Sequence, residues 1–482
     1  MLKIDYHHRH ALYSVEATRH IEQTSKTCLP PHTLMQRAGL AVARLALALA
    51  PHAQRIWIAC GPGNNGGDGL EAAMNLQRWG KAPVVTWLGH PDSSPADAAV
   101  SWQRAVTAGV SFTQTPPDQV DLCIDALLGI GTEIRAPDGR MAEWINYMNA
   151  CKAPVLAVDL PTGLHADTGV VTPLCVRASH TLSLLTLKPG LFTAYGRDTA
   201  GTVWLDELVG DTGNLPDTPP TAWLGGSPTP LTRLHASHKG TYGDVAVVGG
   251  ACGMTGAALL AATAALHTGA GRVFVGLLDK SALTVDLNQP ELMFRPAESL
   301  NYDTMTTVCG CGGGDAVQHH LPKILESSAP IVIDADAINA IAGSQQLQAQ
   351  LLARTQRNGD IVLTPHPLEA ARLLGTTITW VQKDRLHAAQ LLATRFACTV
   401  VLKGSGTVIS APGQKPIVNP TGNSKLATAG TGDVLAGMVG AHLASGMNAF
   451  DSACIAVYSH GLRANQWPDG RPLTANHLSK TI

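Results

Sequence analysis

Hydrophobic positions along this chain alternate between two textures. Short β-branched runs of strand length are separated by Ala/Leu-rich stretches in which apolar residues recur at helical spacing. In the first half the predicted strands are residues 55–60, 83–88, 121–127, 154–158 and 181–185, and a long helix opens at Leu34-Met35-Gln36-Arg37-Ala38-Gly39 and continues through Leu45 and Leu49. In the second half they are residues 244–248, 272–278, 307–309, 331–333, 361–363 and 399–402, with a helix over 259–267. Such alternation is the pattern of parallel sheets covered by helices. Over residues 206–237 it lapses into Asp211-Thr212-Gly213-Asn214, Pro219-Pro220 and Gly225-Gly226-Ser227-Pro228, which are turn and linker signals. The chain is therefore expected to form two α/β domains, residues 1–219 and 220–482.

Composition narrows the classes. A length of 482 residues, 45% hydrophobic and 15% charged, supplies enough apolar material for two cores. Lys plus Arg number 34 against 36 acidic residues, so no net field draws the chain to nucleic acid or to an anionic membrane. Any anion must be held by local donors. The ten cysteines are scattered, with only Cys309 and Cys311 close together, which is neither a disulfide framework nor a zinc-ligand pattern. The most apolar early run, residues 38–50, is interrupted by Arg44 and is too short to span a bilayer. These features predict a cytoplasmic protein without a membrane or nucleic-acid partner. Parallel-sheet domains of this kind often assemble, so a homo-oligomer is expected.

In parallel α/β sheets ligands gather at the carboxyl ends of strands. There the first half turns unusual. Residues 55–60 run into Gly61-Pro62-Gly63-Asn64-Asn65-Gly66-Gly67-Asp68-Gly69, which reads as a polar ligand loop framed by glycine. Asp125 ends another strand, and Gly129-Ile130-Gly131-Thr132-Glu133-Ile134-Arg135 follows as a second glycine loop with a cation for phosphate. A fourth strand ends in Asp159-Leu160-Pro161-Thr162-Gly163. Asn65, Asp125 and the Thr162 region are thus delivered toward one crevice, and oxygen ligands without thiolate or imidazole suit a hard cation. A single strand-end Asp would read as a cap or turn former; three beside two glycine loops read as a site. Lys188, beside Pro189-Gly190, reads as a solvated turn residue outside the chemistry.

Together with Leu34 to Gly39 and Lys188-Pro189-Gly190-Leu191, these segments resemble the YjeF N-terminal family, the NAD(P)H-hydrate epimerases, over most of residues 10–215. The resemblance implies a Rossmann-like three-layer sandwich. It implies that Asn64, Asn65, Gly66, Gly67, Asp68, Gly129, Ile130, Gly131, Thr132, Glu133, Ile134, Arg135 and Asp159 contact the hydrated dinucleotide, NADHX or NADPHX. It also implies a potassium ion on Asn65, Asp125 and Thr162, the last standing where many relatives carry Ser. Asp159, a carboxylate at a strand end in a partly desolvated crevice, is the candidate acid/base, with Asp68 as its competitor.

In the second half, Ala427-Thr428-Ala429-Gly430-Thr431-Gly432-Asp433 runs into an apolar helix. Its glycines admit a ligand close to free N–H groups at the helix start, an anion cradle, and Asp433 suits removal of a proton from an attacking hydroxyl. Upstream lie Met254-Thr255-Gly256-Ala257-Ala258, Gly310-Cys311-Gly312-Gly313-Gly314, Asp334-Ala335-Asp336, Thr364-Pro365-His366-Pro367-Leu368-Glu369 and Lys403-Gly404-Ser405-Gly406-Thr407. These are similar to the ribokinase-like fold and, more closely, to the YjeF C-terminal family, the ADP-dependent NAD(P)H-hydrate dehydratases, over roughly residues 225–480. The resemblance places Ala257, Gly314, His366 and Asp433 on the hydrated dinucleotide. It places Lys403, Gly404, Ser405, Gly406, Thr407 and Gly432 on ADP, with Mg²⁺ accompanying the nucleotide. Relatives usually carry Pro where this chain has Cys311. Asp334 and Asp336 read as turn acids, structural as readily as functional. The implied chemistry is phosphorylation of the ring hydroxyl followed by elimination, giving NAD(P)H, AMP and phosphate. A ribokinase-like small-molecule kinase would leave the first half unexplained; a non-catalytic nucleotide sensor is the rival from another class.

Overall fold

The strand Arg55–Cys60 shows how the sequence builds the first half of the computed structural model. After Arg55 every residue is buried, and successive side chains join opposite cores: Ile56, Ile58 and Cys60 one, Trp57 and Ala59 the other. A strand apolar on both faces has to lie inside a sheet covered on both sides. The first core is closed by the helices Thr33–Leu49 and Asn64–Arg78, the second by Gly139–Ala150, whose Trp144 stands edge-on to Trp57. The structure describes residues 1–131, 136–208, 218–229, 233–279, 284–357 and 360–480.

The chain separates into two compact units, Met1–Leu224 and Gly225–Ile482. The first keeps Ala222–Leu224 because that strand pairs antiparallel with His10–Leu12. Its main sheet runs in the order Leu2–Lys3, Thr202–Asp206, His180–Leu184, Val155–Val158, Leu122–Ala126, Arg55–Cys60, Ala82–Trp87, Ser111–Thr113, all parallel except the first. From Arg55–Cys60 the chain moves outward through two strands, then returns to Leu122–Ala126 on the other side. Ligands bind where the order reverses in this way, and here the reversal lies between the segments that begin at Gly61 and at Leu127.

One expected loop is a helix. From Asn64 onward the Gly61–Gly69 segment forms the first two turns of Asn64–Arg78. Glycine is a poor helix former, but close packing requires it here: a Cβ on Gly66 would stand 2.0 Å from the Gly61 carbonyl oxygen, and one on Gly67 would stand 2.6 Å from the Met35 sulfur.

The second unit repeats the logic. Its sheet runs Met293–Phe294, Arg272–Leu277, Asp244–Gly249, Thr306–Cys309, Ile331–Ile333, Ile361–Leu363, Thr399–Leu402, parallel throughout, and then adds Val408–Ser410 and Ile417–Val418 antiparallel. The order reverses between Asp244–Gly249 and Thr306–Cys309. Helices Thr255–Thr268 and Thr431–Ala444, rich in Ala and Gly, pack over it in one core with Val245, Val247 and Val308. Among the described residues no helix is long and apolar enough to cross a membrane.

Candidate active sites

At the first reversal a cavity of about 470 Å³ opens. Asn64, Asn65 and Asp68 line it from the start of one helix, residues 127–131 from the opposite strand end, and Arg19, Glu22 and Lys26 from the helix Val15–Thr27. The helix Asn64–Arg78 has Gly63 as its N-cap, no side-chain cap and no acid in its first turn, so its free N–H groups favour an anion. Arg19 donates 2.9 Å to the Ile130 carbonyl, which ties a cation to the glycine loop.

Asp159 stands on the same wall. Its backbone is left-handed at φ 65°, as is that of Leu185 at φ 63°, conformations that cost roughly 1–3 kcal/mol each and collect where a side chain must be aimed. Its Oδ1 receives the Lys188 ammonium and a 3.2 Å bond from the Leu184 N–H. Lys188 is wholly buried and also donates 2.8 Å to the Leu184 carbonyl. The expectation of a solvated Lys188 is therefore overturned. A buried ammonium needs a counter-charge, and Asp159 supplies it from 29 residues upstream. Nearby Asp68 behaves differently: burial first, then the Asp159 charge, push its carboxyl well above the ordinary range. The wall thus carries a carboxyl whose pKa is pushed up beside one bonded to a buried ammonium.

Asp125 and Thr162 lie beneath, both fully buried. The Thr162 hydroxyl donates 2.7 Å to one Asp125 oxygen and its N–H 2.8 Å to the other. Burial nevertheless raises the Asp125 carboxyl to about 6. Asn65 has a buried amide nitrogen with no hydrogen-bond partner among the described residues.

In the second unit successive strand ends supply Asp334, Thr364 and Lys403. Lys403 donates 2.6 Å to Asp334 Oδ1, which also accepts 2.7 Å from the Thr364 hydroxyl. Burial lowers the ammonium's pKa, yet the Asp334 and Glu369 charges outweigh it and leave Lys403 above its ordinary value. A Cβ on Gly432 would lie 3.4 Å from Lys403 Nζ, so the cation sits at the start of the helix Thr431–Ala444. That helix begins at Gly430, φ 87°, a conformation glycine adopts freely, and has no side-chain cap. His460 fixes the start: burial holds its pKa down to about 4, so the neutral ring donates Nε2–H 2.9 Å to the Thr431 carbonyl. Asp433, in the first turn, is pushed up to about 7 by burial and by the Asp334 charge.

His366 caps the helix Pro367–Leu374. Its Nδ1 accepts from the N–H groups of Leu368 and Glu369, and its Nε2 lies 3.2 Å from Glu369 Oε1. With the Nδ1 lone pair used in this way, the ring offers a hydrogen to its neighbours but no ready base. Burial and the Lys403 charge lower its pKa.

The comparisons with known proteins match both halves. Residues 31–190 match a family described as YjeF-related protein N-terminus, and residues 245–482 one described as NAD(P)H-hydrate dehydratase. The bifunctional NAD(P)H-hydrate repair enzyme Nnr of Escherichia coli is 33% identical over 90% of this chain and 85% of its own length. That of Coxiella burnetii is 34% identical over 94% of each. The chain belongs to the bifunctional NAD(P)H-hydrate repair enzyme family. The ADP-dependent (S)-NAD(P)H-hydrate dehydratase of Neisseria meningitidis is 42% identical over 52% of this chain and 86% of its own.

Within this NAD(P)H-hydrate repair fold, Asn64, Asn65, Asp68, Gly129, Ile130, Gly131 and Asp159 converge on the cavity. Gly66 and Gly67 do not line it; they serve the helix packing described above. Thr132, Glu133, Ile134 and Arg135 lie outside the described residues. In the second unit Lys403, Gly432 and Asp433 come together. Gly314 donates 2.9 Å to Asp336, and Ala257 packs where a Cβ on Gly312 would meet it at 2.8 Å. Gly404, at φ 138°, lies against the Arg385 guanidinium, and the Thr407 hydroxyl turns back to the Gly404 carbonyl at 3.0 Å. Ser405 and Gly406 belong to the same exposed-to-buried turn. The sequence reading passed over Arg19, set Lys188 aside as a solvated turn residue, and gave Glu369, Cys311 and Asp334 no firm role. Cys311 places its sulfur and the Asp334 and Asp433 oxygens within 4.8 Å of one another.

Proposed function

We propose that this chain repairs hydrated nicotinamide dinucleotides. The N-terminal unit interconverts the (R) and (S) epimers of NAD(P)HX, and the C-terminal unit dehydrates the (S) epimer at the expense of ADP, releasing AMP and phosphate. One observation carries the reading: an uncapped helix start, with Lys403 beside it, holds a carboxylate whose pKa stands at about 7. A group tuned near neutrality takes a proton efficiently from a hydroxyl.

Hydroxide is a poor leaving group from a ring carbon. Asp433 removes the proton of the ring hydroxyl as its oxygen attacks the terminal phosphoryl group of ADP. Free N–H groups of the helix and Lys403 stabilise the charge on that group. The phosphate then leaves with its electron pair, driven by the ring nitrogen, and loss of a ring proton restores NAD(P)H. Mg²⁺ fits as a companion of the nucleotide phosphates, where it would neutralise charge; Asp334 is already engaged by Lys403.

In the N-terminal unit Asp159 is the acid/base, and the cavity's anion-friendly helix start receives a phosphate of the dinucleotide. Potassium fits Asn65, Asp125 and Thr162: each can offer an oxygen, and Asp125 carries a burial penalty that a cation would relieve.

The test is recovery of the dihydronicotinamide absorbance from a mixed-epimer hydrate with Mg²⁺, K⁺ and ADP, ATP or no nucleotide. Complete, nucleotide-dependent recovery is expected. Recovery that stops with one epimer left removes the epimerase half of the proposal, and none at all with nucleotide bound favours a sensor.

A further inference from the structure

We propose that Lys188 is a positioning residue for epimerisation: it holds one oxygen of Asp159 so that the other faces the substrate. This rests on reading the N-terminal cavity as the epimerisation site. The Lys188 ammonium and the Leu184 N–H both go to Asp159 Oδ1. The ammonium's other donors go to the Leu184 carbonyl at 2.8 Å and the Ser183 hydroxyl at 3.4 Å. No donor remains for a ligand, so Lys188 acts through Asp159. Among the described residues Oδ2 receives no hydrogen bond. It would lie 3.4 Å from a Cβ on Gly129, and the missing side chain there leaves that oxygen open to the cavity.

The reacting carbon bears a hydroxyl and is bonded to the ring nitrogen. Its configuration is lost if the hydroxyl proton passes to Asp159 Oδ2 while the carbon–nitrogen bond breaks. The electron pair moves to nitrogen and is delocalised through the adjacent double bond into the carboxamide, leaving an aldehyde. Attack of nitrogen on the opposite face of the aldehyde re-forms the bond, and Asp159 returns the proton to oxygen. Nothing is oxidised or reduced, and no co-reactant is needed. The step requires Asp159 to enter charged, and among the described residues Lys188 is the one cation bonded to it. The other ionisable groups on the wall, Arg19, Glu22, Lys26, Asp68, Asp97 and His165, make no hydrogen bond to Asp159.

Lys188→Met, Lys188→Arg and Asp159→Asn in the full chain test this. Epimer interconversion is followed by chromatography, and nucleotide-dependent dehydration of the (S) epimer reports that the protein is folded. Lys188→Met is expected to lower kcat about 100-fold at neutral pH with KM changed less than about threefold. Activity should return as pH rises, because a buried carboxyl without its counter-charge ionises only at higher pH. Lys188→Arg should recover most of the rate, and Asp159→Asn should be inactive at every pH. A Lys188→Met profile superimposable on wild type, or a loss that pH does not restore while Lys188→Arg is equally impaired, overturns the proposal. A wild-type protein that dehydrates but never epimerises removes the underlying reading instead.

Discussion

Both units bury a lysine–aspartate pair at the end of a parallel strand, and they use it in opposite ways. In the N-terminal unit Lys188 is bonded to Asp159, the carboxylate that faces the cavity. In the C-terminal unit Lys403 is bonded to Asp334, which faces the protein, while Asp433 stands a short distance away beside the Cys311 thiol. The consequence is electrostatic. Asp334 anchors the cation that would meet phosphate, and its charge helps raise Asp433 to about 7. A base that must take a proton from an alcohol benefits from that basicity. The same fold logic thus yields a carboxylate bonded to a buried ammonium in one site and one made basic in the other.

Removing the Asp433 carboxylate should have the largest effect. Asp433→Asn is expected to slow nucleotide-dependent dehydration by about 10³-fold, within the range of general-base contributions, with epimerisation retained. Comparison of both activities in one preparation checks it. Dehydration lost together with epimerisation would point to unfolding rather than to a base.

Asp334→Asn comes next. It removes the nearer of the two carboxylates beside the Lys403 ammonium and leaves Glu369 at 4.0 Å, and breaking a buried pair costs up to about 3–5 kcal/mol. The C-terminal unit should melt earlier and bind nucleotide more weakly. The pH dependence supplies a sharper discriminator. Asp433 acts as a base only when ionised, so wild-type dehydration should rise with pH through about 7. Since the Asp334 charge raises the Asp433 pKa, removing it should move that limb to lower pH. An unmoved limb would assign it to another group, with Glu369, also near 7 through burial, the first alternative.

A smaller effect is expected at the mouth of the N-terminal cavity. If the Arg19 guanidinium on the cavity wall meets a phosphate of the dinucleotide, Arg19→Gln should raise the epimerase KM by about three- to tenfold with kcat unchanged, since no reacting atom is touched. The increase should shrink at high salt. A change in kcat alone would remove Arg19 from phosphate binding.

What the sequence disclosed followed from range. Apolar runs ending in Asp125, Asp159 and Asp334 mark strand ends locally, so the parallel layers and the two glycine-rich turns could be read directly. Lys188 could not, because its burial depends on a carboxylate 29 residues away, and a Lys-Pro-Gly tripeptide alone describes a surface turn. Arg19 sits on a helix with charged and polar neighbours that reads as solvated; only the fold brings it to the Ile130 carbonyl. Asn64 to Gly69 read as a loop because helix propensity disfavours three glycines, whereas close contact with Gly61, Met35 and Ala126 demands them.

The smallest predicted effect tests the proposed potassium ligands. Thr162→Ser keeps the hydroxyl that donates 2.7 Å to Asp125 and removes only a methyl group from a fully buried site. Activity and its dependence on K⁺ should stay within about twofold, and the lost methyl should cost about 0.5–1.5 kcal/mol, a fall of about 2–4 °C per kcal/mol in the melting of a unit this size. Thr162→Val makes the contrast, since its shape is retained and its oxygen is not. Asp125 then loses a donor inside the core, and K⁺ stimulation of epimerisation should vanish if the hydroxyl is a ligand. Equal K⁺ dependence in the Ser and Val variants would leave Thr162 as a structural partner of Asp125 alone.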